Sequence, residues 1–168
     1  MKTARFAAGG AVIATADVSA HRMLVAGGAD SPGRLLDSCE LYDAAADRWS
    51  MQEPRLPQAI CCRAVSITSG SAVLAVQSYG EKNTRCALLD VRCSSSRWQA
   101  IASAPIPRTW HAVAAVGEYS AVMLGGLAAK MSRTDTAQLY DVRADRWSER
   151  AEWRLSAPSS EHCAAFVE

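Results

Sequence analysis

An all-β array of three four-stranded units, followed by one extra strand, is the fold that this 168-residue sequence predicts. Three observations carry it. The decapeptide Leu41-Tyr-Asp-Ala-Ala-Ala-Asp-Arg-Trp-Ser50 returns 98 residues later as Leu139-Tyr-Asp-Val-Arg-Ala-Asp-Arg-Trp-Ser148, identical at eight of ten positions. Trp49, Trp98 and Trp147 follow one another at two equal steps of 49 residues. Met23-Leu-Val-Ala-Gly27-Gly28 recurs as Val122-Met-Leu-Gly125-Gly126, again with the glycines 98 residues on. A fixed period of this size marks a repeat architecture.

Each unit then resolves into four short strands. The first is a small apolar run after a proline, seen at Pro57, Pro107 and Pro158. The second ends in Gly-Gly, at Gly27-Gly28 and Gly125-Gly126, where the chain needs positive φ or close backbone approach. The third ends in Leu-Tyr-Asp, whose Asp suits a tight turn because its carboxylate accepts from nearby backbone amides. The fourth opens at Arg-Trp. Short apolar runs bounded by Gly, Pro, Asp and Ser are strand signals. The middle unit is degenerate: Ala72-Val-Leu-Ala-Val76 keeps the apolar run without the glycines, and Leu89-Asp90 precedes Arg97-Trp98. Residues 134–155 also carry a helical periodicity through Tyr140, Ala144, Trp147 and Ala151. The twin segment at 41–50 runs into Pro54 and Pro57, and the middle copy carries Cys93-Ser-Ser-Ser96, so strands are preferred.

Composition narrows the functional classes. With 18 Lys+Arg against 17 Asp+Glu there is no basic excess to hold nucleic acid or an anionic membrane. No uncharged apolar run reaches the roughly 18 residues of a membrane span. At 49% hydrophobic and 21% charged residues the chain is ordinary globular protein and not a disordered one. A chain this long buries roughly 70% of its unfolded surface, enough for one array of repeats. Residues 1–16 have two readings: Lys2 and Arg5 before Phe6–Ile13 and Ala14-Thr-Ala16 fit a short signal peptide, yet the run is Ala/Gly-rich and suits a first strand. The strand reading leads to a cytoplasmic expectation. The six cysteines, Cys39, Cys61, Cys62, Cys86, Cys93 and Cys163, allow 15 disulfide pairings but form no CxxC or paired Cys/His zinc spacing. They are expected to be reduced, several as small core residues.

A unit of about 49 residues with Gly-Gly, Tyr-Asp and Trp resembles the kelch repeat, whose units build β-propeller blades. The resemblance is specific where Gly27, Gly28, Tyr42 and Trp49, and then Gly125, Gly126, Tyr140 and Trp147, hold the pattern. In the middle unit only Trp98 does. The resemblance implies a kelch-like, partial β-propeller. Its blades span about 5–53, 57–103 and 107–155, and 158–168, with a strand over His162–Val167, begins a fourth. It also implies that the Tyr and Trp residues pack between neighbouring blades. Propellers close with about four to eight blades, so three leave an apolar face and unpaired edges. A longer propeller, a second copy or a capping partner would cover them.

Catalytic signals are thin. His111 and His162 occupy equivalent repeat positions and read as strand-start hydrogen-bonding groups; His21 stands alone. No serine lies in a nucleophile elbow, and Gly27-Gly28 lacks the rest of a phosphate loop. The family implies partner-binding loops between second and third strands: Ala29–Ser38, Ser78–Arg85 and Leu127–Thr136. These loops carry Arg34, Arg85 and Arg133 with Lys82 and Lys130, a candidate basic rim for an acidic protein segment. Asp37, Glu81 and Asp135 are candidate local neutralisers, which would make the same cations ordinary surface charge. Between units, Arg55, Arg108, Trp110 and Glu152-Trp153-Arg154 form a second candidate patch, and Trp110 equally suits a channel plug. The expected function is a non-enzymatic protein-interaction module, a scaffold or adaptor without cofactor. The alternative is a portion of a propeller enzyme such as a kelch-type copper oxidase.

Overall fold

A computed structural model describes residues 1–14, 22–79, 84–92 and 97–165. The chain is all-β, with four antiparallel sheets among the described residues. Sheet I orders β1 (Gly9–Ile13), β2 (Arg22–Ala26), β5 (Cys39–Asp43) and β6 (Arg48–Gln52). Between β2 and β5, β3 (Ala29–Ser31) and β4 (Arg34–Leu35) make a small hairpin. Sheet II holds β7 (Cys62–Ile67), β8 (Ala72–Gln77), β9 (Thr84–Asp90) and β10 (Gln99–Ala104). Sheet III holds β11 (Ala112–Ala115), β12 (Ser120–Leu124), β13 (Thr134–Asp141) and β14 (Arg146–Ser159). Each four-stranded sheet is an up-and-down meander in chain order. The segment with helical periodicity, 134–155, is the β13–β14 pair: Tyr140 stands opposite Trp147, and the Asp141 carboxylate accepts from the amides of Arg143 (2.9 Å) and Ala144 (3.1 Å) in the turn.

Strand alternation sends successive side chains to opposite faces, and each sheet uses both. Ala11, Ile13, Leu24 and Leu41 on the rear of sheet I pack against Val73, Ala75, Ala87, Leu89 and Trp98 on the front of sheet II. Ile67, Leu74, Val76 and Cys86 on the rear of sheet II pack against Ala121, Met123, Tyr140 and Trp147 on the front of sheet III. A smaller cluster of Ala114, Val122 and Ala137, with Leu124, Leu139 and Ala164 partly buried, lies on the rear of sheet III. The sheets therefore stack in sequence order. Their first strands converge: Gly10, Val12, Ala64, Ser66, Val113 and Ala115 line one groove.

The Gly-Gly pairs are a backbone requirement. Gly27 and Gly28 have φ of 63° and 91°, and Gly125 and Gly126 have 59° and 90°. A Cβ on Gly27 would stand 2.4 Å from the Ile60 carbonyl oxygen, and one on Gly126 2.6 Å from that of Thr109. In each case the chain linking one sheet to its neighbours runs directly over the glycine.

The strand expected over His162–Val167 is not formed across His162–Ala165; Phe166 and Val167 lie outside the described residues. Its ladder partner in the other sheets is the next strand along the chain. The approach to it is nonetheless in place. Gly126 donates to the Ser159 carbonyl at 2.8 Å and Glu161 to that of Trp110 at 2.8 Å, as Gly28 does to Ile60 at 2.8 Å and Cys62 to Ala7 at 3.2 Å.

Candidate interaction surface

The three Trp landmarks, the first and third paired with a Tyr, show what covers each sheet. Tyr140 and Trp147 are buried because sheet II lies over them, and Trp98 is buried because sheet I does. Tyr42 and Trp49 have no sheet over them among the described residues and stay half-exposed. Their geometry is the same as that of the buried pair: both ring pairs have centroids 5.1 Å apart and planes at 38°. Beside them on the same face, Val12, Met23 and Met51 are exposed. This front face of sheet I is an uncovered apolar surface.

An arginine that packing conceals lies at the entry to sheets I and III. Arg5 donates to the carbonyls of Gly27 and Ser38, each at 2.9 Å, and pairs with Glu40 Oε1 at 2.7 Å. Both charged side chains are inaccessible to solvent. Glu40 also accepts from the amides of Lys2 (2.6 Å) and Thr3 (3.0 Å). Burial opposes ionisation of Glu40, but these amides and the Arg5 guanidinium outweigh it and hold the carboxyl below its ordinary range. In sheet III, Arg108 takes the place of Arg5, donating to the carbonyls of Gly125 (3.1 Å) and Thr136 (2.6 Å). Gln138 takes the place of Glu40, accepting from the Ile106 amide at 3.2 Å and donating to the Ile106 carbonyl at 3.0 Å.

The expectation of Arg108 as a partner contact is thereby corrected. It is 2% exposed, and its Nη1 is taken up by the carbonyls of Gly125 and Thr136 inside the sheet. Its neighbour Trp110 is half-buried at φ 53°, with its amide donating to the Ser78 carbonyl at 3.0 Å. The hydrogen-bonding reading of the histidines is met only weakly: the His111 ring approaches the Arg108 backbone, and neither ring nitrogen of His162 meets a hydrogen-bond partner among the described residues. His111 is fully enclosed, and burial pushes its pKa down to about 3.

The remaining candidate residues are on the surface. Arg34 is exposed and 3.4 Å from Asp30. Arg85 is exposed and hydrogen-bonded to Gln58. Arg133 is exposed, its Nε donating to Ser160 Oγ at 3.3 Å, and Lys130 is exposed on a short 3-10 turn, Ala129–Met131. No bond joins any two of these four among the described residues; Lys82 and Glu81 lie outside them. The carboxylates expected to neutralise the rim are engaged elsewhere: Asp37 pairs with Arg55 and Asp135 with Arg154, each at 3.0 Å. Arg85, Lys130 and Arg133 make no ion pair among the described residues.

Asp47 and Asp145 are the site residues that sequence reasoning passed over. They occupy the turn before Trp49 and Trp147 at φ 45° and 44°. Tyr42 donates to Asp47 at 2.7 Å and Tyr140 to Asp145 at 2.8 Å. Their signal is the fixed spacing inside the repeated decapeptide, where an Asp recurs two residues before each Trp.

Of the described cysteines, Cys39, Cys61, Cys62 and Cys86 are buried free thiols and Cys163 is an exposed one. No described helix is long and apolar enough to cross a membrane. No protein-family model and no curated protein matches this chain. Its fold is similar to that of the solved structure of YjhT, with a TM-score of 0.67 at 16% sequence identity. The match covers 93% of this chain and 54% of that one, so the chain spans about half the length of the structure it matches.

Proposed function

We propose that this chain is a three-bladed, kelch-like partial propeller that works as a non-enzymatic protein-interaction module, a scaffold or adaptor of the cytoplasm. What supports the propeller reading is the stacking of three like sheets in chain order, with first strands sharing one groove and Trp98 and Trp147 buried between neighbours. The observation that carries the binding reading is the set of exposed cations, Arg85 at the start of β9 and Lys130 and Arg133 on the loop between β12 and β13, without carboxylate partners among the described residues. Because the meanders run in the same order, these connections leave all three sheets at the same end, the one marked by Gly-Gly in sheets I and III. An acidic segment of a partner protein is the complementary ligand, and Arg34 joins the rim if the partner displaces Asp30.

The test is titration of a fluorescent Asp/Glu-rich peptide into the chain, compared with Lys130→Glu/Arg133→Glu. Weaker binding by about tenfold, with the thermal midpoint unchanged and a steep loss in salt, is the expected result. Equal binding by the double variant sinks the basic rim. Stoichiometric copper retained by the purified chain would instead favour the enzyme alternative.

A further inference from the structure

The contact between sheets II and III shows what the uncovered face of sheet I is built to receive. Asp145 accepts from the Ala102 amide at 2.9 Å, and Trp147 Nε1 donates to the Ala102 carbonyl at 2.9 Å. One peptide residue of β10 is thus gripped through both its backbone groups. Ala102 is free to offer them because the β9–β10 ladder breaks just after Ile101, which stands opposite Cys86. On sheet I the gripping set is already assembled: Tyr42 holds Asp47, and Trp49 has the same ring geometry as its buried counterpart. No described strand occupies the gripped position.

The opposite end of the same chain carries such a strand. In β14, Arg150 stands opposite Ala137, the register that Ile101 and Cys86 hold in sheet II, and the ladder again breaks immediately after it. The next residue, Ala151, is exposed. On the rear of sheet III, Leu124 and Leu139 are only partly buried beside the buried Val122 and Ala137. That apolar row is the counterpart of Val12, Met23 and Met51, which are exposed on the front of sheet I. The chain therefore bears both halves of one interface at its two ends.

We infer that the front of sheet I is the docking site for sheet III of a second copy, with Asp47 and Trp49 taking the Ala151 peptide. Two copies make this contact twice about a two-fold axis and close a ring of six four-stranded sheets, within the range in which propellers close. The segment from Glu161 to Ala165, which forms no strand and whose Ala164 lies at the inner edge of the rear cluster, gives way to the partner's β1. The inference rests on the propeller reading above and is independent of the basic rim.

Light scattering of the full chain over a concentration series reads the assembly, and a mixture of Asp47→Cys and Ala151→Cys chains under mild oxidation reads its geometry. The expected results are a two-chain mass, a 47–151 cross-link identified by mass spectrometry, and dissociation roughly tenfold easier in Asp47→Ala. A single-chain mass at every concentration, masses that grow beyond two chains, a dimer without the 47–151 cross-link, or an Asp47→Ala dimer as tight as the parent each overturns it. Acidic-peptide binding by a chain that stays monomeric would sink the two-copy ring and leave the interaction-module reading standing.

Discussion

Trp147 reaches across a sheet boundary to Ala102, its indole Nε1 donating to that carbonyl at 2.9 Å. The bond joins consecutive sheets through backbone, so it constrains position where apolar packing alone constrains only distance. Asp145 doubles it by accepting from the Ala102 amide. Truncating Asp145→Ala strips an acceptor from both that amide and the Tyr140 hydroxyl, and should cost about 1 kcal/mol or somewhat more. Asp47→Ala removes only the Tyr42 contact within its own chain. Urea unfolding of the two variants, at a concentration where the chain is monomeric, should show Asp145→Ala the less stable. Equal loss would mean that the inter-sheet bonds contribute nothing beyond packing.

Gly27 offers a separate test of how sheets I and II are joined. Its φ of 63° disfavours any residue with a Cβ, and that Cβ would meet the Ile60 carbonyl oxygen at 2.4 Å. Gly27→Ala is therefore expected to lose about 2 kcal/mol or more, from left-handed strain plus displacement of the Ile60 segment. Gly33 also has positive φ, 82°, but nothing lies within 4 Å of its Cβ position. Gly33→Ala should bear the strain alone and lose less. Thermal denaturation ranks the two, and the reverse order would discount the close approach.

These comparisons explain which parts of the fold were legible in sequence. Tyr140, Trp147 and Asp141 stood out because a sheet interface and a tight turn each demand a fixed residue type, so the decapeptide returns almost unchanged. Arg108 was misread because its role is set by backbone carbonyls, which leave no trace in side-chain identity. Its counterpart Arg5 lies 103 residues away and not 98, since the connection between first and second strands is shorter in the third unit. A search in the Trp register passes over the pair. Glu40 and Gln138 were hidden for a related reason: charge differs between them, and only the shared acceptor oxygen matters to the Thr3 and Ile106 amides. The basic loop residues were legible as charges, but Asp37 and Asp135 turned out to serve Arg55 and Arg154.

That substitution of Gln138 for Glu40 within one molecule predicts how the buried ion pair responds to mutation. Glu40→Ala leaves the Arg5 charge buried and three donors unmet, and should cost about 3 kcal/mol. Glu40→Gln keeps an acceptor for the backbone amides, as Gln138 does, and should cost markedly less. The native carboxyl titrates below its ordinary range, so its contribution is complete above the unfolded value and falls away as pH drops through the folded one. Stability curves from neutral pH into acid should therefore be flatter for Glu40→Gln than for the parent. An equally steep decline in both would assign the acid sensitivity to other groups.

His111 acts in a higher pH window. Burial holds it neutral in the fold down to about 3, while an unfolded histidine protonates near 6.5. Between those values the unfolded chain binds the extra proton, so stability declines steadily as pH falls from about 6.5 and levels off below the folded value. Arg63, whose Nε donates to the His111 carbonyl at 3.3 Å, together with Arg108 and His162, adds positive charge nearby and reinforces the neutral state. Replacing the ring by a neutral one of similar bulk, His111→Phe, removes the proton linkage while keeping the site filled. The difference in unfolding free energy between pH 7 and pH 5 should be smaller in His111→Phe than in the parent, a range that ordinary carboxylates barely enter. If the two proteins lose stability in parallel across that range, His111 is protonated without cost and its enclosure does not couple to folding.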